Sequence, residues 1–263
     1  MGPKTKQLAA IEIKNLSKTF PRKKEKVLDR LNLTIPAKQI SFVLGPSGTG
    51  KSVLLKHIVG LLRPDEGEID IFGQKLPYGS TKKLNEMRKH FGVLFQGVAL
   101  FDNMTVYENV AFPLCAHQRA LKKNIVVEMV SETLLSVGLD PSANLEKYPN
   151  ELSGGMQKRV GLARAIVLKP DIILYDEPTT GLDPVNRQTV EEMILEAKNK
   201  LGLTNFVISH DLRAAIALAD KIAFIFGGQI VFSGNADEFQ QSSHPVIRSF
   251  LRAEEIHKKR SEI

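Results

Sequence analysis

The sequence predicts an α/β protein with a mainly parallel, three-layer core sheet, a small antiparallel β layer and an inserted helical subdomain. Short apolar runs alternate along the chain with segments of helical periodicity, which favours strands joined by helices. The first two apolar segments instead alternate between apolar and polar residues, and one long stretch between two strands is helical throughout.

The amino-terminal segments predict the antiparallel layer, because their apolar residues recur at about every second position, as in a half-buried strand. These residues are Ile11, Ile13 and Leu16 in the first segment and Leu31, Leu33 and Ile35 in the second. In residues 60–73, GLLRPDEGEIDIFG, turn residues bracket a further short strand.

Five apolar runs predict the core sheet. Ile40–Gly45 is continuous, as expected of a central strand that is buried on both faces, and it leads directly into glycines and a helix. The other four runs are Phe91–Phe95, Asp171–Tyr175, Asn205–Ser209 and Lys221–Phe226. Helices between the later strands favour parallel pairing.

The stretch from about Asn103 to Leu139 is helical in pattern and separates one strand from the rest of the core. Its apolar residues at helix spacing are Val126, Met129, Val130, Leu134 and Val137. We therefore expect one domain over residues 1–263, with a helical subdomain at about 97–165 and a carboxyl-terminal helical tail at about 240–263.

Composition is that of an ordinary globular protein, with 263 residues, 43% hydrophobic and 25% charged, and a mean hydropathy of −0.11. No run approaches the length of a membrane-spanning helix and the polar start lacks a signal peptide's apolar core, so we expect a cytosolic chain. The single cysteine, Cys115, is interpreted as a packing residue. The net charge of +7 is spread out, which favours solvated surface over a nucleic-acid or lipid patch.

A phosphate-binding loop is predicted at GPSGTGKS, which fits the pattern G-x-x-x-x-G-K-[ST] and has a strand before it and a helix after it. Glycines let backbone N–H groups converge on phosphates, lysine adds a positive charge, and the final hydroxyl is a Mg²⁺ ligand. An ordinary glycine-rich turn is the alternative, and the flanking elements argue against it. The predicted ATP-binding residues are Gly45, Pro46, Ser47, Gly48, Thr49, Gly50, Lys51 and Ser52.

Two adjacent carboxylates follow the buried run DIILY. Asp176 is predicted to hold Mg²⁺ beside Ser52, and Glu177 to act as the general base that polarises the attacking water. An acidic strand end is usually solvated surface, but the upstream phosphate loop makes the catalytic interpretation the stronger one.

The segment LSGGMQKR (Leu152–Arg159) distinguishes among families with such a loop, and on this motif the chain resembles the ABC ATPases over nearly its full length. Ser153, Gly154 and Gly155 precede a helix, whose free N–H groups and dipole favour an anion. The resemblance implies that they bind the nucleotide of a second copy in a head-to-tail homodimer. Taken alone, the motif would be read as an ordinary serine-capped helix.

The same resemblance assigns four further residues. Gln96 resembles the glutamine that senses Mg²⁺ and the attacking water, Asp183 the aspartate of the D-loop, and His210 the switch histidine that contacts the γ-phosphate. Phe20 resembles the aromatic that stacks on adenine, although a core position is the alternative. The motif departs from the common pattern at Met156, where many members have glutamine.

Phe95–Leu114, together with LSGGMQKR and YDEPTTGLDPV, resembles the ATPases of Mla/Mce-type lipid transport systems. The resemblance implies phospholipid transport between the bacterial inner and outer membranes, with the chain attached peripherally to the cytoplasmic face of the inner membrane. Implied partners are an integral-membrane permease of the MlaE type, a membrane-anchored Mce-domain lipid-binding protein and a small STAS-domain regulator.

Three alternatives remain at this point. The chain could be an ABC ATPase for another substrate, because the motifs bind ATP and do not specify the transported molecule. It could act on nucleic acid or ribosomes, although a single ATPase core without coiled-coil or zinc insertions disfavours this, and we expect no nucleic-acid partner. A purely regulatory role would require loss of Lys51 or Glu177, and both are present.

The stretch from Gln96 to about Leu114 is predicted to form the groove for a cytoplasmic helix of the permease. Its apolar residues would be unfavourable in a solvent-exposed loop, unless a docked helix covered them or they packed within the subdomain. The residues are Val98, Leu100, Phe101 and Met104.

Overall fold

The computed structural model describes residues 8–21, 25–94, 100–118 and 120–261, the last eight by backbone only. The strands are β1 (Ala9–Lys18), β2 (Leu28–Pro36), β3 (Ile40–Leu44), β4 (Glu66–Ile71), β5 (Gln74–Lys75), β6 (Phe91–Leu94), β7 (Ile172–Asp176), β8 (Thr204–Ser209), β9 (Lys221–Phe226) and β10 (Gln229–Gly234). The helices are α1 (Lys51–Ile58), α2 (Thr81–Arg88), α3 (Val106–His117), α4 (Lys123–Ser136), α5 (Pro141–Asn144), α6 (Gly154–Ile166), α7 (Pro184–Asn199), α8 (Leu212–Leu218), α9 (Ala236–Gln240) and α10 (Pro245–Ser261), with a 3-10 turn at Pro149–Glu151.

These strands form two sheets. The first is antiparallel, with the order β2-β1-β4-β5, and the second has the order β10-β9-β3-β8-β7-β6. In the second sheet β3, β6, β7, β8 and β9 are parallel and β10 pairs antiparallel with β9. The predicted α/β class, parallel core sheet and antiparallel layer are confirmed.

The larger sheet lies between two apolar cores. On β7, Ile172 and Leu174 pack with the antiparallel layer and α1, whereas Ile173 and Tyr175 pack with the helices on the opposite face. All four side chains are fully buried. Residues of both faces must therefore be apolar, which is why this strand reads as a continuous apolar run.

Helices α3 to α6 occupy the chain between β6 and β7, where the helical insertion was expected. A capping box starts α3: the Thr105 hydroxyl accepts from the Glu108 N–H at 3.2 Å, and the Glu108 carboxylate accepts from the Thr105 N–H at 2.8 Å. The fully buried Asn109 amide bonds both backbone groups of Phe101, at 2.9 and 3.1 Å, which holds the preceding loop against the helix. The boundaries of the subdomain and of the tail stay predictions.

Some features differ from expectation or were missed. Cys115 is exposed, so the packing interpretation was wrong. The sequence pattern did not predict α2, β5 or β10. For β10 a signal was present, because Gly227 and Gly228, both at positive φ, are typical of a hairpin such as the one that joins β9 to β10. Within the part of the chain that the structure describes, no helix is both long and apolar enough to cross a bilayer.

Candidate functional site

The phosphate loop connects the end of β3 to the start of α1. Gly48 and Gly50 have φ values of 82° and 99°, a backbone region that residues with a Cβ rarely adopt. A Cβ at Gly50 would also lie 3.0 Å from the Val27 carbonyl oxygen. Among the described residues no side chain caps α1, so its first N–H groups are available to an anion.

Lys51 lies at the bottom of this loop with only 6% of its surface exposed. Its ammonium group donates to the carbonyl oxygens of Gly45 at 2.6 Å and Pro46 at 3.1 Å, and lies 3.6 Å from Glu177 Oε1. Burial lowers the pKa of Lys51, and the Glu177 carboxylate opposes that shift. The loop thus holds a desolvated cation beside a carboxylate.

Asp176 and Ser52 meet at the end of β7, where the Ser52 hydroxyl donates to Asp176 Oδ1 at 3.3 Å. Burial raises the pKa of Asp176, and this hydrogen bond opposes the shift. A hydroxyl beside a carboxylate suits Mg²⁺, which takes oxygen ligands and usually retains phosphate and water in its other positions. The two side chains therefore fit the predicted metal site.

Glu177 follows immediately in a left-handed conformation, with φ of 50°. Its Oε2 accepts hydrogen bonds from His210 Nδ1 at 2.7 Å, the His210 N–H at 3.3 Å and the Thr180 hydroxyl at 3.1 Å. The Glu177 N–H donates to the Ile208 carbonyl at 2.9 Å, which ties the ends of β7 and β8 together. The predicted base and the predicted switch histidine are therefore in direct contact.

Lys51, Ser52 and Glu177 line a pocket of about 460 Å³. Phe20 is half-exposed on its wall, with the Lys18 ammonium group 5.8 Å from the ring centroid. Of the phosphate loop, Gly45, Pro46 and Thr49 lie outside the lining, and the Thr49 hydroxyl donates back to the Pro46 carbonyl at 2.8 Å. The lining residues are Phe20, Val27, Ser47, Gly48, Gly50, Lys51, Ser52, Val53 and Glu177.

Six further predicted residues that the structure describes lie outside this lining: Ser153, Gly154, Gly155, Asp176, Asp183 and His210. Ser153 is exposed and caps α6, accepting from the Met156 N–H at 3.3 Å, and Gly154 and Gly155 form the first turn. Asp183 caps α7 and accepts from the Asn186 N–H at 3.0 Å, a bond that lowers the pKa of Asp183. Gln96 lies outside the described residues.

Sequence reasoning missed Thr180, Val27 and Val53. Thr180 supports Glu177 directly and could have been suspected from its place in DEPTTG, two residues after the proline. Val53 directly follows Ser52 on α1, so its place beside the loop could have been inferred from the motif. No sequence signal places Val27 in the pocket.

Comparison with known sequences agrees with this geometry. A family model described as ABC transporter matches residues 28–180, more than half of the chain. The chain is 42% identical over 247 residues to the probable ribonucleotide transport ATP-binding protein mkl of Mycobacterium tuberculosis, covering 94% of this chain and 67% of that protein. It is 40% identical over 233 residues to the intermembrane phospholipid transport system ATP-binding protein MlaF of Escherichia coli, covering 89% and 86%.

Solved structures agree as well. The chain matches cbiO1 from Clostridium perfringens, part of the ABC transporter complex cbiONQ, with a TM-score of 0.80 and 26% identity, covering 97% of this chain and 99% of that one. It matches the dimeric bacterial ABC transporter cassette MJ0796 with a TM-score of 0.74 and 31% identity, covering 86% and 98%. The MJ0796 cassette also has a dimeric post-hydrolysis structure with bound ADP and phosphate. The chain therefore belongs to the ABC transporter family, as one of its ATP-binding and ATP-hydrolysing members.

Proposed function

We propose that this ATPase powers phospholipid transport between the inner and outer bacterial membranes. The observation that carries the proposal is the 40–41% identity to MlaF proteins over 86–90% of their length. In this chain Lys51 and Glu177 line one pocket, and Asp176 accepts a hydrogen bond from Ser52 of the same lining. The mkl relatives, named for ribonucleotide transport, keep an ATPase for another substrate as the second candidate.

In the proposed mechanism each residue has one role. Phe20 stacks on adenine, Lys51 binds the terminal phosphates, and Ser52 and Asp176, with Gln96, hold Mg²⁺. When bound, Mg²⁺ supplies positive charge to the phosphate oxygens. Glu177 takes a proton from the attacking water. His210, already bonded to Glu177, orients the Glu177 carboxylate and reaches the γ-phosphate.

A second copy of the chain completes the site. Ser153, Gly154, Gly155 and Asp183 lie outside the pocket of their own chain, and the start of α6 can receive an anion. The dimeric MJ0796 structures support a homodimer of this kind. A Ser153→Arg chain mixed with a Lys51→Ala chain forms heterodimers with one intact composite site, so part of the activity should return. If heterodimers form and remain as inactive as either variant alone, the shared site is refuted.

The groove for the permease is proposed at a pocket of about 400 Å³ beside α3. Phe101 and Phe112 are exposed at its edge with ring centroids 5.0 Å apart, and Arg164 lies over the Phe101 ring. Exposed aromatic rings beside a groove are typical of a docking surface for an apolar helix face. Leu100 and Met104 are partly buried, Leu100 against the core, and Val98 lies outside the described residues.

Through this groove the chain would sit on the cytoplasmic face of the inner membrane, bound to an MlaE-type permease. The Mce-domain lipid-binding protein and the STAS-domain regulator complete the proposed assembly. The experiment is co-purification of the Phe101→Glu chain with its permease, followed by transfer of labelled phospholipid between vesicles. We expect both to be lost while ATP binding is retained. Leu135→Glu, which places the same charge at another exposed apolar position, is the control.

The outcomes separate the alternatives. If Phe101→Glu keeps the permease and lipid transfer, the docking surface lies elsewhere. If ribonucleotide stimulates ATP hydrolysis by the intact complex and the complex moves no phospholipid, the second candidate is correct. A nucleic-acid role would instead give a binding affinity that falls steeply with salt concentration.

A further inference from the structure

Lys158 is a buried cation outside the mechanism described above. It lies on α6, in the turn after Gly154 and Gly155, and is 7% exposed. Its ammonium group donates to the Asn186 carbonyl at 3.2 Å, the one hydrogen-bond acceptor that it has among the described residues. Burial lowers the pKa of Lys158, and the Asp183 carboxylate opposes that shift. Burying an ammonium group is costly, so a structural or functional reason is expected.

Asn186 is the point where the two helix starts meet. It lies on the first turn of α7, and both its N–H and its side-chain amide donate to the Asp183 carboxylate. Gly154 packs on the other side, since a Cβ at Gly154 would lie 3.4 Å from Asn186 Oδ1. Lys158 therefore links the helix that starts at Ser153 to the helix that starts at Asp183.

We propose that Lys158 is a positioning residue, which holds the Ser153–Gly155 turn and Asp183 as one rigid unit that meets the nucleotide of the partner copy. The proposal rests on the composite site described under Proposed function. Both helix starts must reach the same nucleotide, and errors of about 1 Å in such positions cost about 100-fold in activity. Without the Lys158 bond, α6 and α7 would be held together at this end by the packing of Gly154 on Asn186 and of Gly155 on Thr189, which fixes their relative position less firmly.

The test measures dimerisation and nucleotide binding separately. In a Glu177→Gln background, which retains ATP, we compare Lys158 with Lys158→Met and Lys158→Arg by sedimentation in ATP and Mg²⁺. Methionine keeps the length of the side chain without the donor, and arginine restores a donor. We expect Lys158→Met to weaken ATP-dependent dimerisation at least tenfold while ADP affinity of the monomer changes less than twofold. Lys158→Arg should recover most of the loss.

Lys221→Met is the control, because Lys221 is a partly buried lysine that, among the residues that the structure describes, also donates to one backbone carbonyl, that of Thr34 at 2.7 Å. Lys221 is the first residue of β9, whereas Glu177 follows the last residue of β7. The two residues therefore lie at opposite ends of parallel strands, so dimerisation should not change in Lys221→Met. Should Lys158→Met fail to fold, Lys158→Gln carries the same expectation with a polar side chain too short for the Asn186 carbonyl.

The results distinguish a failure of the composite site from a failure of the role of Lys158. If Glu177→Gln alone stays monomeric in ATP, the composite site is refuted and the role of Lys158 falls with it. If Glu177→Gln dimerises and Lys158→Met does not weaken that dimer, only the role of Lys158 is overturned. A parallel loss of ADP affinity in both Lys158→Met and Lys158→Gln would also overturn it, because their effect would then lie on the chain's own pocket.

Discussion

Replacing Glu177 by glutamine keeps the size of the side chain but removes the negative charge that lies 3.6 Å from the buried Lys51 ammonium group. The carboxamide keeps an oxygen where Oε2 now accepts from His210 and Thr180, so these hydrogen bonds can persist and no cavity forms. The melting temperature of the nucleotide-free protein should still fall, because the buried Lys51 ammonium group loses its carboxylate partner. ATP affinity should be equal or higher, because a negative charge next to the γ-phosphate is removed.

Turnover should fall by about 100- to 10,000-fold, the range that a general base supplies. At about 1.36 kcal/mol for each factor of ten, this corresponds to about 2.7–5.4 kcal/mol in the activation barrier. Phosphate release under saturating ATP gives kcat, and fluorescent nucleotide titration gives affinity. Glu192→Gln, at an exposed carboxylate of α7, controls for the chemistry of the substitution. A Glu177→Gln enzyme that hydrolyses ATP at near wild-type rate would refute the assignment of the base.

Three further outcomes are expected. Burial raises the pKa of Asp176 above its ordinary value of 3.8, so the folded state binds the carboxyl proton more tightly than the unfolded state does. The folded state therefore loses stability as the pH rises from the unfolded pKa of Asp176 to its higher folded pKa. Asp176→Asn should therefore raise the melting temperature of the nucleotide-free protein at pH 7, with a gain that shrinks towards pH 4. Phe20→Ala should raise KM for ATP and leave kcat largely intact, whereas unfolding of this variant would favour the core alternative. Tyr175→Phe removes a buried hydrogen bond of 3.0 Å to Asn205 and should cost about 1–3 kcal/mol in urea unfolding.

The elements that the sequence predicted well are those whose burial is complete or strictly alternating. Ile11 and Ile13 lie on the buried face of β1, and the run at Ile40 forms the fully buried β3. In both cases the pattern of burial requires a matching pattern of residue types, so the sequence records the fold directly. Strand β10 is only partly buried, which weakens its apolar signal.

The residues of the candidate site are predictable as types, but their contacts are not. The acidic strand end pointed to Glu177 and the family resemblance to His210. Their 2.7 Å contact depends on the left-handed backbone at Glu177 and on the pairing of β7 with β8. Cys115 fails for a related reason. An apolar residue type on a helix does not say which face turns outward, and here that face is exposed.

The hydrogen bonds from Lys51 to the Gly45 and Pro46 carbonyls give the loop an internal scaffold. The loop therefore pays little conformational entropy when a nucleotide arrives, because its backbone is already ordered around the lysine. In return, the phosphates must compete with two neutral acceptors for the same ammonium group. Affinity then measures the difference between two sets of hydrogen bonds, so ADP and ATP can bind in the same loop and be exchanged without refolding it.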